Sequence, residues 1–259
     1  MIDLHCHVLP NVDDGSSSVS ESAEMFRLYR SFGFDTVVAT PHVSGDLSSG
    51  YRERIEVARD AIEDAAADAG IALEIGFEIM LDPALEMRLD QGAALSLGSS
   101  RAVLVEVPFL NWPTFTEDVI FALQLAGYRP ILAHPERYEG VQARPQLAFE
   151  LCKRGVVLQL TYASFAGVLG KTVQRCAERL LEVDGAVILA SDAHGSGQRL
   201  RAIPDGLRRI DDLIGTERLH QLAREVPLAL LRDAALPEYP ARESDAIRGG
   251  KRGWFHRGR

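Results

Sequence analysis

Cysteine is scarce in this 259-residue chain: only Cys6, Cys152 and Cys176 occur. Three cysteines make no disulfide framework, and that fits a reducing compartment. Long apolar runs are missing too. None approaches the ~18 residues of a membrane span, so no membrane insertion is expected. Met1-Ile2-Asp3-Leu4-His5 has no basic region followed by an apolar stretch. It does not read as a signal peptide, and a cytoplasmic location is the expectation. Positive charge is in deficit, with a net charge of −9, which argues against a nucleic-acid partner. Lysine is limited to Lys153, Lys171 and Lys251. Repeats, low-complexity tracts and linkers are absent before the last stretch.

Apolar residues are plentiful at 46%, enough for a large core. Strand-like runs fall at Ile2–His5, Thr36–Thr40, Leu73–Glu78, Val103–Val107, Ile131–His134, Val156–Thr161 and Val187–Ser191. Helical patterns lie between them, near Ser20–Phe32, Tyr51–Ala69, Pro83–Gln91, Thr116–Ala126, Arg144–Arg154 and Leu169–Val183. Continuous Val/Ile/Leu runs suit parallel strands buried on both faces. The alternation implies right-handed βαβ units. With seven strands rather than eight, the expected fold is α/β, a distorted (β/α)7 TIM-like barrel. Residues 1–242 read as one domain, with the helical stretch after Ile203 capping the barrel. Residues 243–259 read as a basic, glycine-rich flexible tail carrying Arg248, Lys251, Arg252, Arg257 and Arg259.

Five of the seven histidines sit in four clusters: His5-Cys6-His7, Thr40-Pro41-His42, His134-Pro135-Glu136-Arg137 and Asp192-Ala193-His194. Each cluster falls where an expected strand ends, and so do Glu78 and Glu106. Residues at the C-terminal ends of barrel strands serve function. His5 and His7 alternate onto one strand face and can chelate one ion, as can Asp192 and His194. A single His-x-His is weak evidence; the argument is its recurrence at six strand ends. Glu78 and Glu106 interrupt apolar runs, where an unpartnered carboxylate is costly and a cation removes the cost. Glu106 reads as a natural bridging ligand.

Asp13-Asp14-Gly15 suffices as a turn for Asp13 and Gly15, whereas Asp14 is a candidate proton donor or supporting group. Asp3 is expected to be structural, pointing away from the face of His5 and His7. Cys6 is expected in the core. Arg137 and Arg199 follow His134 and His194 closely and suit a two-point grip on phosphate oxygens, with Arg201 as the rival of Arg199.

These strings resemble the polymerase-and-histidinol-phosphatase (PHP) superfamily. Within it they are most similar to bacterial manganese-dependent tyrosine-protein phosphatases of capsule and exopolysaccharide operons. The resemblance covers roughly residues 1–200. It rests on Ile-Asp-Leu-His-x-His-x-Leu-Pro-x-Val-Asp-Asp-Gly, Val-Ala-Thr-Pro-His, Gly-Phe-Glu-Ile, Glu-Val-Pro, Ile-Leu-Ala-His-Pro-Glu-Arg-Tyr and Ser-Asp-Ala-His. It implies a PHP fold and a trinuclear centre ligated by His5, His7, His42, Glu78, Glu106, His134, Asp192 and His194. Mn²⁺ is the implied metal, although imidazole and carboxylate also suit Fe or Zn²⁺. Arg137 and Arg199 would hold the phosphoryl group, with Asp14 nearby. The implied partner is a phosphotyrosine protein, an autophosphorylated bacterial tyrosine kinase. Two departures stand out: Val43 replaces a frequent second histidine after Thr-Pro-His, and Gln198-Arg199-Leu200-Arg201 lacks the usual Arg-Pro pair.

Other chemistries fit less well. A thiolate phosphatase needs Cys-x5-Arg, but Val12, Leu158 and Glu182 follow the three cysteines at that spacing. Amidohydrolases bridge metals with a carbamylated lysine, and no lysine stands at a strand end. A non-catalytic binding module would not keep a complete ligand set. A small-metabolite phosphatase, such as one for histidinol phosphate, is the alternative.

Overall fold

The computed structural model describes residues 1–44, 49–90 and 95–237. The expected tail, 243–259, lies outside them, as does Gln91. Nine strand segments occur among the described residues: Ile2–Cys6 (β1), Thr36–Ala39 (β2), His42–Val43 (β3), Ala72–Ile75 (β4), Glu78–Met80 (β5), Ala102–Glu106 (β6), Arg129–Leu132 (β7), Val157–Thr161 (β8) and Val187–Ala190 (β9). All pairings are parallel, in two sheets ordered β1-β2-β4 and β3-β5-β6-β7-β8-β9. The seven expected runs become nine because the run Leu73–Glu78 breaks in two and β3, beyond the run Thr36–Thr40, was not expected. Pro41 separates β2 from β3, since it has no N–H for a ladder. Gly76 separates β4 from β5, and a Cβ there would lie 2.5 Å from Leu97 Cδ2 and 3.0 Å from Leu97 Cα. The ends of β1 and β9 also meet. Asp192 N–H donates to His5 O and His7 N–H to Ala193 O, both at 2.9 Å.

The helices are Val19–Ser31 (α1), Ser49–Asp68 (α2), Leu85–Asp90 (α3), Thr116–Leu125 (α4), Glu139–Ala143 (α5), Gln146–Lys153 (α6), Tyr162–Phe165 (α7), Lys171–Leu180 (α8), Gln198–Arg201 (α9), Ile203–Ile214 (α10), Thr216–His220 (α11) and Val226–Leu231 (α12). Strand residues are mostly buried, with β4 the partly exposed exception. Ile2, Leu4, Val38, Leu104, Ile131, Val157 and Ile188 form one cluster, joined by Val226 and Leu230 of α12. Arg101 N–H donates to Asp233 Oδ1 at 2.9 Å, and Arg129 Nη1 to Ala234 O at 2.6 Å. The segment after α12 is thus fastened to the N-terminal ends of β6 and β7. The opposite strand ends are left for the site. No helix among the described residues is long and apolar enough to cross a membrane.

Two local devices set the start of the chain. Ser18 caps α1, its hydroxyl accepting from the Glu21 N–H at 3.2 Å, which satisfies a donor the helix leaves open. Glu21 in turn accepts from Ser17 and from the Ser196 N–H, tying α1 to the loop after β9. In β1 the register against β2 shifts between Asp3 and Cys6. Strict alternation would set Asp3 beside His5 and His7. The bulge inserts one residue and reverses its side. Asp3 is fully buried, and its Oδ1 accepts from the N–H groups of His5 and Ser191. Ser191 Oγ meets Tyr29 Oη of α1 at 2.7 Å.

Candidate metal centre

The eight expected ligands come together: His5 and His7 at the end of β1, His42 and Glu78 as the first residues of β3 and β5, Glu106 as the last of β6, His134 just past β7, and Asp192 and His194 just past β9. The β3–β5 ladder sets His42 opposite Glu78, and the β5–β6 ladder sets Met80 opposite Glu106. His134 and Asp192 have left-handed backbone, φ 32° and 49°. That conformation is uncommon for residues with a Cβ, and it bends each chain out of its strand toward the site.

Glu78 is the hub. Its Oε2 lies 3.1 Å from His5 Nε2, 3.3 Å from His7 Nε2 and 3.1 Å from His42 Nδ1. Its Oε1 lies 2.8 Å from His134 Nε2. Glu106 Oε1 lies 3.5 Å from His42 Nδ1. Glu78, near four imidazoles, is thus the more central carboxylate, and Glu106, expected as the bridging ligand, has His42 as its neighbour. Asp192 Oδ1 lies 3.5 Å from both His5 Nε2 and His194 Nδ1. Asp14 Oδ1 lies 3.3 Å from His42 Nε2 and 3.5 Å from His194 Nε2. Asp14 thus faces two imidazoles, as a ligand would, and remains largely exposed.

Three overlapping groups could each hold a cation: His5, His7, Glu78 and Asp192; His7, Asp14, His42 and His194; and His42, Glu78 and Glu106. Hydrogen bonding supports that use. His5 Nδ1 donates to Gln159 Oε1 and His7 Nδ1 to Asp13 Oδ2, both at 2.8 Å. In the neutral rings each Nε2 is then a bare lone pair. The two Nε2 atoms face each other at 3.3 Å. Glu78 Oε2 is buried and accepts no hydrogen bond despite its three nitrogen neighbours. Lone pairs converging in a dry space are costly unless a cation lies among them.

Without a cation, protons take its place. Burial opposes charge on His5, but Glu78 and Asp192 outweigh it and raise His5 to about 9. Burial is likewise outweighed at His42, which Glu106 and Glu78 raise to about 11. His194 moves the other way, to about 4, through burial and the neighbouring His7. Burial works to raise Glu78 and Asp192, yet the surrounding imidazoles, His5 foremost, hold both carboxyls below their usual range.

Two guanidiniums stand over Asp192. Arg137 Nη1 lies 2.5 Å from Asp192 Oδ2, and Arg199 Nη1 lies 3.1 Å from the same oxygen. Arg201 turns away, pairing with Glu24 and donating to Ser196 O at 2.9 Å. Arg199, not Arg201, faces the cavity. That cavity measures about 220 Å³ and is lined by Asp14, His42, Glu78, Met80, Glu106, Phe109, His134, Arg137, Asp192, His194 and Arg199. His5 and His7 are buried and touch the lining residue Glu78. A larger hollow of about 480 Å³ between Pro10–Val12 and α2 is mostly apolar and is lined by none of the candidate ligands.

Sequence reading missed several supports. Asp13 is more than a turn residue: Oδ1 accepts from the Gly15 N–H, as a turn requires, while Oδ2 holds His7 and the His42 N–H. Gln159 Oε1 serves both His5 and the His134 N–H; its signal was an amide in the otherwise apolar Val156–Thr161 run. Glu136 is fully buried, and its Oε1 accepts from the Thr161 N–H and Ser164 Oγ. It braces the 3-10 turn Pro135–Arg137 against β8 and α7. Cys6, Cys152 and Cys176 are buried free thiols pushed upward by burial, which leaves none as a ready nucleophile.

Fold and site together describe a metal-dependent hydrolase for an anionic ester. The chain belongs to the family described as capsular polysaccharide synthesis, CpsB/CapC, which matches residues 1–232. It is 33% identical over 242 residues to the tyrosine-protein phosphatase YwqE of Bacillus subtilis, covering 93% of this chain and 95% of that one. It is 26% identical over 246 residues to the tyrosine-protein phosphatase CpsB of Streptococcus pneumoniae, covering 90% and 99%. A crystal structure from work on those two, called unique metal-dependent tyrosine phosphatases, superposes with a TM-score of 0.83 at 32% identity over 93% of this chain and 98% of that one. A histidinol phosphate phosphatase from Lactococcus lactis shares the fold, with a TM-score of 0.53 at 15% identity over 83% and 94%.

Proposed function

We propose that this chain is a cytoplasmic, metal-dependent protein-tyrosine phosphatase. Its substrate is the phosphorylated tail of an autophosphorylated tyrosine kinase of polysaccharide synthesis. The observation that carries the reading is the pair of bare Nε2 atoms of His5 and His7, facing Glu78 and Asp192 beside Arg137 and Arg199. Family membership and the YwqE and CpsB relatives support it. We read residues 1–242 as one PHP domain, a distorted (β/α)7 barrel. The seven strand runs are its staves, and the β1–β9 hydrogen bonds are its seam.

In this reading three Mn²⁺ ions are held by His5, His7, His42, Glu78, Glu106, His134, Asp192 and His194, with Fe and Zn²⁺ as the alternatives. Bound metal supplies Lewis acidity and a water made nucleophilic near neutral pH. The chain does the rest. Asp13 and Gln159 fix the tautomers of His7 and His5. Arg137 and Arg199 bind and orient the phosphoryl oxygens and balance their growing charge. Asp14, largely exposed at the open side, would handle a proton in this reading. A phenolate leaves without one, so aryl esters need this group least.

A panel of a phosphotyrosine peptide, a phosphoserine peptide, p-nitrophenyl phosphate and histidinol phosphate, with and without Mn²⁺, tests the reading. Metal-dependent turnover with kcat/KM far higher for the aryl esters is the expected result. A preference for histidinol phosphate would make the chain a small-metabolite phosphatase instead.

A further inference from the structure

We infer that Phe109 is a specificity-determining residue, an aromatic platform on which the phosphotyrosine ring lies. The inference rests on the phosphatase reading above and goes beyond it to how the substrate's ring is held. Of the eleven residues lining the cavity, only Met80 and Phe109 carry apolar side chains. Phe109 is 38% exposed at the mouth; of the seven large apolar side chains exposed among the described residues, it alone lines this cavity. An exposed aromatic beside convergent polar groups marks a contact surface.

The ring is held in place before any ligand arrives. The Arg137 guanidinium lies 4.5 Å over its centroid. The rings of His134 and Tyr138 lie 5.5 and 5.8 Å away. The Glu139 N–H donates to Phe109 O at 2.9 Å, and Tyr138 Oη accepts from the Val107 N–H and donates to Ala133 O. The Phe109 loop is thereby tied to the turn that carries His134 and Arg137.

One side chain therefore touches both ends of the substrate problem. Arg137 grips the phosphoryl oxygens while resting on Phe109. In an aryl phosphate the ring begins one ester oxygen from phosphorus, so a phosphoryl group on Arg137 brings that ring alongside Phe109. Stacked or edge-on aromatic contact is favourable there. The single methylene of phosphoserine offers no face to stack. Phe109 thus selects aryl esters by binding, separately from the ease with which phenolate leaves.

The test compares wild type with Phe109→Ala, Phe109→Leu and Phe109→Tyr, each metal-loaded and checked for folding by circular dichroism. In Phe109→Ala the KM for a phosphotyrosine peptide rises about threefold to tenfold, the range for losing an aromatic pair, with kcat little changed. Phe109→Leu, which keeps apolar bulk without a ring face, rises less, and Phe109→Tyr restores tight binding. The competitive Ki of inorganic phosphate stays within about twofold of wild type, because phosphate has no ring to lose. A phosphate Ki that rises in step with KM would mean that Phe109 only positions Arg137, and would overturn the inference. So would an unchanged KM. Wild-type protein that ignores phosphotyrosine peptides overturns the phosphatase reading itself, whatever Phe109 does.

Discussion

His5 and His7 each give one ring nitrogen to a neighbour and keep the other for the site, so those neighbours matter as much as the rings. Gln159→Leu and Asp13→Ala should each weaken Mn²⁺ affinity about 10–100-fold, the usual loss when an outer hydrogen bond to a metal ligand goes. Titration calorimetry measures this; affinities equal to wild type would contradict the tautomer argument. His134→Ala and Asp192→Ala should abolish nearly all turnover while keeping the fold, because residues beyond the strand ends add little to the core. Circular dichroism with metal present checks the second half. Arg137→Ala should lower kcat/KM on every phosphate ester, since it grips the shared group. The candidate ligands were legible because chemistry repeats at strand ends, which one sequence shows directly. Gln159 was not, because its partner His5 lies 154 residues away. Asp13 was hidden by a sufficient explanation: the turn it makes is real, and its second oxygen does something else.

At the scale of elements, β1 is the strand whose detail was least legible. Its apolar run and His-x-His were plain, but the shift between Asp3 and Cys6 leaves no mark in the residue pattern. Asp3 nevertheless points away from the metal face, as expected, and the bulge is the reason. The expected run at 36–40 stops short of β3, whereas the run at 73–78 reads as continuous because its hydrophobicity is continuous. Pro41 and the Leu97 backbone against Gly76 interrupt the pairing without interrupting burial. Helix starts are more local. Ser18→Ala removes the cap of α1 and should cost about 1 kcal/mol. For a chain of this size that lowers Tm by about 2–4 °C. Kinetics should stay as in wild type, because the cap lies outside the cavity. A thermal melt with paired kinetics decides it, and a large activity loss would show that α1 sets the site through the Glu21–Ser196 contact.

At the scale of the molecule, loading the centre exchanges protons for metal. His5 and His42, raised to about 9 and about 11 in the metal-free protein, carry protons at pH 7 that ligation must expel. Calorimetry in buffers of different ionisation enthalpy should therefore show net proton release, with about three ions bound per chain as the eight candidate ligands imply. One ion or none, or no release, would contradict the centre. Both groups are raised above the ordinary 6.5, so what they add to the metal-free fold is complete below that value. It is lost as pH climbs through about 9 and then about 11. Chelated protein should melt lower at pH 9 than at pH 7. The meeting of β1 with β9 carries a different consequence, for biosynthesis. His5 and His7 leave the ribosome long before Asp192 and His194 are made, and a domain completes its packing as a unit. A chain that stops short of Asp192 has six of the eight candidate ligands and lacks the hydrogen bonds that join the end of β1 to the segment after β9. Translation must pass His194 before the full ligand set can assemble, so synthesis interrupted before that point leaves an incomplete centre.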